Sequence, residues 1–351
     1  MDNFALALTY DDVLLVPQYS EINSREDVNL ETNITKSIKL KFPVIAINMD
    51  TVTGVEMAVA MYKYGGMSFY PRFLTPIEQA REVKQVLDQN ALTIPAVGVK
   101  DIDFERVKLF AEMGLPAITI DVAHGHMKKS LDFVKKIKKE YKDLEVIAGV
   151  IATYEGARDL FEAGADAVRV GVGPGTICTT RKVTGFGVPQ ITATIEACRA
   201  AKEYDRIVIT DGGTKLSGDM VKALAAGANA VVTGSQIAGT DEAPGQIKEV
   251  NGKKYKAYNA STSLIEKNKQ FEQLSADKPK NYVKYVEGTE SLVPYKGPVE
   301  DVLSVLEKGL RSGLSYAGAR NIIEMHEKAK FIRVTPISVS ENGAHGVVLE
   351  N

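Results

Sequence analysis

Cys178 stands in GVGPGTICTTR (171–181), a glycine- and proline-rich stretch that directly follows an apolar run. Glycines there let backbone N–H groups turn toward an anion, and Thr176 adds a hydroxyl. A cysteine on an apolar helix face is usually a small buried hydrophobe, and Cys198 in ITATIEACRA reads that way. Cys178 has different company: glycines, the hydroxyls of Thr179 and Thr180, and Arg181. A polar, electropositive loop stabilises a thiolate, so Cys178 is the candidate nucleophile. Two further glycine-rich ends, Asp211-Gly212-Gly213 and Gly234-Ser235, follow later apolar runs. Together with Thr176 they form a candidate phosphate grip, with Asp211 placed to accept hydrogen bonds from ribose hydroxyls.

Other polar residues end apolar runs: Asn48 and Asp50, Arg72, and Asp121 with His124. His124 and His126, two residues apart and with no clustered third ligand, do not make a zinc site.

The elements that must position these groups alternate along the chain. Strand-like runs fall at Pro43–Ile47, Met67–Tyr70, Ile94–Gly98, Ala117–Asp121, Glu145–Ala148, Ala167–Val170, Arg206–Thr210 and Ala230–Thr233. Helical patterns lie between them, at Pro76–Leu87, Phe104–Met113, Met127–Tyr141, Tyr154–Ala163, Gln190–Glu203 and Ser217–Ala226, with a last one at Val299–Ser312. Strands separated by crossover helices pair in parallel, which leaves a closed barrel or a doubly wound open sheet. EAGADAVRV (162–170) and AAGANAVVT (225–233) repeat one helix-turn-strand phrase, as a ring of equivalent units would. The polar strand ends also suit a barrel whose site lies on its C-terminal rim. The expected fold is a single α/β domain over 1–351, a (β/α)8 TIM barrel. Residues 245–297 show little apolar periodicity and are expected to be a mobile flap between the last strand and the last helix.

The 43 basic and 45 acidic residues leave a net charge of −2, which argues against a nucleic-acid footprint. Two cysteines exclude a disulfide framework, and neither a signal peptide nor an apolar run of about 18 residues is present, so a cytoplasmic protein without membrane contact is expected.

The chain resembles the IMP dehydrogenase and GMP reductase family. The resemblance rests on LTYDDVLLVP (8–17), NMDTV (48–52), IDVAHGH (120–126), GVGPGTICTTRKVTGFGVPQ (171–190), DGGTKLSGD (211–219), GSQIAGTDEAPG (234–245) and EGTESLVPYKGPVEDVL (287–303). It implies a purine nucleoside monophosphate, GMP or IMP, whose carbon 2 is attacked by Cys178, with Thr180 and Glu287 assisting protonation of the departing group. It puts Thr176, Gly213, Gly234, Ser235 and Tyr258 on the nucleotide's phosphate, Asp211 on its ribose, and Asn48, Met49 and Gly212 among the other substrate contacts. Asp121 and His124 would lie near the nicotinamide cofactor, NADPH or alternatively NAD. The resemblance also implies a homotetramer and a monovalent cation, K+, at Gly173, Gly175 and Cys178.

In the dehydrogenase an Arg-Tyr pair on the flap activates water. Here Gln270-Phe271 align with that pair, and no Arg occurs between Arg206 and Arg311. Neither side chain is a general base. Only about twenty residues separate the second and third strand-like runs, where a dehydrogenase usually inserts CBS domains. Both features point to GMP reductase: GMP and NADPH to IMP, ammonia and NADP. An IMP dehydrogenase without CBS domains and a catalytically impaired nucleotide-binding paralogue are the alternatives. The chain departs from the family at Val150, normally Asn, and at Asn259-Ala260, normally Gly-Met.

Overall fold

The computed structural model describes residues 4–273 and 286–343. Eight parallel strands close into a barrel: β1 (Val44–Ala46), β2 (Met67–Tyr70), β3 (Ile94–Val97), β4 (Ala117–Asp121), β5 (Glu145–Ile151), β6 (Ala167–Val170), β7 (Ile207–Asp211) and β8 (Ala230–Thr233). β8 pairs with β1, which closes the ring. Helices α1 (Val55–Tyr64), α2 (Pro76–Leu87), α3 (Asp101–Glu112), α4 (Lys128–Glu140), α5 (Tyr154–Glu162), α6 (Gln190–Tyr204), α7 (Ser217–Ala225) and α8 (Val299–Tyr316) cover it outside. The eight expected strands match within a few residues; β5 runs three residues longer. α1 had escaped notice because VEMAVAMYKY is apolar around most of its circumference, so no stripe stands out.

Alternate strand residues fill the barrel in a cluster that includes Ile45, Phe69, Ile94, Ile147 and Ile209. Its N-terminal end is plugged by a small hairpin, Thr32–Asn33 with Lys39–Leu40, which inserts Ile34 and Ile38 into the same cluster. Glu145 secures the plug: its carboxylate accepts from Thr35 Oγ1 at 2.5 Å and from the Ser37 backbone and hydroxyl at 3.0 and 2.5 Å. The plug leaves the C-terminal rim as the open face.

The described residues of 245–297 hold more regular structure than their composition suggests. Lys248–Val250, Lys253–Asn259 and Glu290–Pro294 form a three-stranded antiparallel sheet, and Leu264–Gln273 is a helix. Asn251 and Gly252 have φ of 51° and 73°, the geometry of a type I′ hairpin turn. That Asn-Gly pair was the missed signal. The strand after it hid because its inward positions are Lys256 and Tyr258 rather than aliphatics. Lys256 is 4% exposed, and its ammonium donates to the carbonyls of Thr240 (3.0 Å), Asp241 (3.3 Å) and Ala243. A buried charge that uses all its donors on backbone carbonyls is tolerated, and no hydropathy pattern reveals it.

Candidate active site

The cleft at the C-terminal rim encloses about 650 Å³ with its mouth. Met49, Thr176, Cys178, Gly212, Gly213, Gly234, Ser235 and Tyr258 all line it, so most of the expected site residues converge. Close packing explains the glycines. A Cβ on Gly171 would lie 2.0 Å from the Asp211 carbonyl oxygen, so only glycine lets the cysteine loop leave β6 against β7. A Cβ on Gly234 would meet Ile47 Cγ2 at 2.9 Å and Tyr258 Oη at 3.0 Å, so the Tyr258 hydroxyl is held against the Gly234-Ser235 turn.

Cys178 is partly exposed, and its thiol donates to Thr180 Oγ1 at 3.2 Å. Thr180 in turn donates to Glu287 Oε2 at 2.7 Å. Glu287 comes from the returning edge of the flap, 107 residues on. It is brought there by backbone pairing: Cys178 bridges Gly288, the Thr179 N–H donates to Glu287 O at 2.9 Å and the Thr289 N–H to Ile177 O at 3.1 Å. Thiol, hydroxyl and carboxylate therefore form one proton path. Arg181, expected to make the loop electropositive, instead donates to Val188 O at 2.7 Å and closes the loop on itself. Cys198 is buried, and burial pushes its thiol up to about 12. It is packing, as expected.

Three expected residues that do not line the cleft, Asn48, Asp211 and Asp121, are gathered by one that sequence reasoning overlooked. Arg169, on β6, is 1% exposed inside the barrel. It donates to Asp211 Oδ2 from Nε (3.0 Å) and Nη2 (2.6 Å), and to Asn48 Oδ1 at 3.0 Å. It also reaches Thr119 Oγ1 at 3.3 Å, lies 3.6 Å from Asp121, and stacks 4.6 Å over the Phe69 ring. Burial pushes the Asp211 carboxyl above its ordinary range, and the Arg169 charge opposes that push. An arginine in the middle of a short strand, AVRV, was the available signal: a charge facing a barrel core needs partners. Asp121 also accepts from Arg72 Nε at 3.4 Å. His124 is exposed on the rim and not drawn into this network; its ring lies 6.4 Å from that of His126, which pairs with Asp159 at 2.7 Å.

The family departures also have places. Ala260, Ser261 and Thr262 line the cleft, whereas Asn259 donates through its amide to Glu266 on the flap helix at 3.2 Å. Val150 continues β5, its N–H donating to Val122 O and its carbonyl accepting from Gly125. Phe271 lies on the flap helix, while the Gln270 side chain and residues 274–285 fall outside the described residues. Among the described residues no three His, Cys, Asp or Glu side chains converge on a metal position, and no helix is long and apolar enough to cross a membrane.

The chain as a whole is similar to known proteins in sequence and fold. The family model described as IMP dehydrogenase / GMP reductase domain matches residues 7–345. The chain belongs to that family. Inosine-5'-monophosphate dehydrogenase of Aquifex aeolicus is 37% identical, covering 97% of this chain and 95% of its own length. The enzyme of the same name from Borreliella burgdorferi is also 37% identical, with 97% of each chain covered. Among solved structures, a cysteine-to-alanine variant of GMP reductase from Trypanosoma brucei, in complex with guanosine 5'-monophosphate, superposes with a TM-score of 0.91. It is 29% identical, and the match covers 98% of this chain and 99% of that one. The chain is thus a purine-nucleotide oxidoreductase of a family that uses a nicotinamide cofactor. The Aquifex alignment spans 471 positions against 351 residues here, so that relative carries a long stretch this chain lacks. The Borreliella alignment spans only 396, so a short chain is compatible with either enzyme name.

Proposed function

We propose that the protein is a GMP reductase, converting GMP and NADPH to IMP, ammonia and NADP. The observation that carries the choice is the lack of a water-activating pair: Gln270-Phe271 occupy its aligned position, and no arginine lies between Arg206 and Arg311. A covalent purine intermediate without an activated water is protected from hydrolysis, as a reductase requires.

In this reading Cys178 Sγ bonds to purine carbon 2 and its proton leaves by the Thr180–Glu287 path. The same path protonates the 2-amino group, which departs as ammonia. Carbon 2 then receives a hydride, the carbon–sulfur bond breaks, and the electron pair returns to Cys178. The reduced nicotinamide supplies that hydride when bound. Asp121 and His124 would hold it, on a rim where Arg72 stacks 4.5 Å over the Phe73 ring and offers a flat polar surface. Thr176, Gly212, Gly213, Gly234, Ser235 and Tyr258 would hold the 5'-phosphate, Asp211 the ribose, and Met49 the base. Asn48 acts through Arg169. A monovalent cation on Gly173, Gly175 and Cys178 would use backbone oxygens. The Gly175 carbonyl accepts the Cys178 N–H at 3.1 Å and keeps a second lone pair for such an ion.

The second reading, an IMP dehydrogenase, is favoured by the names of the relatives at 33–37% identity. Nicotinamide absorbance separates the two. GMP with NADPH should lose absorbance and release ammonia; a gain with IMP and NAD, and no loss with GMP and NADPH, would reverse the assignment. Binding of GMP without turnover of either pair would leave a nucleotide-binding paralogue.

A further inference from the structure

A second cavity, of about 950 Å³ with its mouth, adjoins the phosphate end of the cleft. The two share Thr176 and Ser235, so whatever the Gly234-Ser235 turn holds faces both. One wall of the second cavity is made of donors. Lys296 points its ammonium at Ser235 O (2.7 Å) and Gln236 O (2.8 Å), and Lys215 and Ser217 also line the cavity. Gln236 is 9% exposed, and its amide nitrogen has no hydrogen-bond partner while its oxygen accepts from Thr233. A buried N–H pair with no acceptor is destabilising unless a ligand supplies one. No carboxylate lines the cavity. Two carboxylates stand behind the lining: Asp11 accepts from the Lys215 ammonium at 2.8 Å, and Asp219 accepts the backbone N–H groups of Lys215 (2.8 Å) and Leu216 (3.2 Å). The other wall, Val302, Val305 and Leu306, is apolar and offers an anion nothing to bind.

Two ammonium groups, a hydroxyl and an unsatisfied amide, contiguous with a phosphate grip, match a second phosphate group. We propose that this cavity is an anion subsite beyond the 5'-phosphate, able to take the terminal phosphate of a purine nucleoside diphosphate or a free inorganic phosphate beside a bound monophosphate. It rests on the reading of the neighbouring cleft as a purine monophosphate site. Occupancy by a diphosphate would make the enzyme responsive to the more phosphorylated members of its own nucleotide pool.

Calorimetric titration of the full chain tests it, with GMP, IMP, GDP and IDP, and with inorganic phosphate in the presence of saturating GMP. The expected results are diphosphate binding that excludes GMP, or phosphate binding to the GMP complex. Lys215→Ala should weaken either about tenfold, the worth of one charge-assisted contact, and leave GMP affinity unchanged. Val305 is 65% exposed, so Val305→Glu adds a carboxylate to the apolar wall without disturbing the core and should weaken the same ligands. If GMP or IMP binds but neither the diphosphates nor phosphate does, the subsite is refuted and the cleft assignment stands. Equal weakening of GMP and GDP by Lys215→Ala also refutes it. If no monophosphate binds, the cleft assignment itself has failed.

Discussion

The two halves of the barrel rim are built from different materials. From β6 to β8 the surface is backbone: glycine turns, short hydroxyl side chains and a cysteine, stitched to the flap by main-chain pairing. From β2 to β4 it is polar side chains, Arg72, Asp121 and His124, with their ends at or near solvent. The first half has the rigidity to hold a phosphate and bring one carbon against Sγ. The second has the reach and exposure to accept a ligand that must arrive and leave. Arg169 touches both, through Asp211 on one side and Asp121 on the other.

The largest effect that could break this division comes from Cys178→Ala. Turnover should fall by roughly three orders of magnitude or more, as when a nucleophile is deleted, with monophosphate binding kept within about threefold. Residual turnover near the parent rate would remove the covalent step and with it the reason for the rigid half. Arg169→Met comes next. It orphans the buried Asp211 carboxylate, a change worth about 3–5 kcal/mol of stability. Both nucleotide and nicotinamide KM should rise in whatever folds. A rise in only one would show that Arg169 does not join the halves.

A paired experiment sharpens the same contrast at smaller scale. Tyr258→Phe takes the hydroxyl from the phosphate turn and should raise the nucleotide KM about tenfold, the worth of one hydrogen bond to a charged group, with nicotinamide KM unchanged. Asp121→Asn should do the reverse. If either variant moves both constants, the rim is one site rather than two.

The smallest effect lies at the other end of the barrel, outside both halves. His326 is partly buried and its Nε2 lies 3.0 Å from Ala228 O at the foot of β8. Burial holds the imidazole below its ordinary value of 6.5, so the folded state disfavours the proton that the unfolded chain accepts. The neutral ring's contribution to stability is therefore complete above about pH 6.5 and is lost as pH falls below it. Replacing it by Asn should flatten the decline of Tm between pH 7 and 5 while leaving KM values untouched. An unaltered slope would assign that decline to other groups.

The alternation of strands and helices was legible because parallel barrel strands are uniformly apolar and each is followed by a crossover helix, so Met67–Tyr70 or Ala230–Thr233 announces itself. The rigid half of the rim was equally legible, since its work is done by glycines whose spacing is visible. What stayed hidden were polar residues whose partners are remote in sequence. Arg169 finds Asn48 121 residues away, Glu287 reaches Thr180 across 107, and Lys256 spends its charge on carbonyls that carry no residue identity. Of these, only Glu287 was placed, and by family resemblance rather than by pattern. The hairpin at Asn251-Gly252 is different in kind: a local rule predicts it, and the polar strand around it masked the rule.

The two lysines that fasten the flap, Lys256 at its entry and Lys296 at its exit, both grip carbonyls of the one segment after β8, residues 235–243. The stretch between them, which bears Gln270, Phe271 and Glu287, is thereby a cassette with two fixed ends. On the proposed mechanism, a scaffold arranged in this way can exchange the chemistry that follows the covalent step by replacing one insert, with the barrel, Cys178 and the Gly234-Ser235 turn left as they are. The same arrangement makes the insert transplantable. A dehydrogenase flap joined at those two lysines should fold onto this barrel and carry its water-activating pair with it.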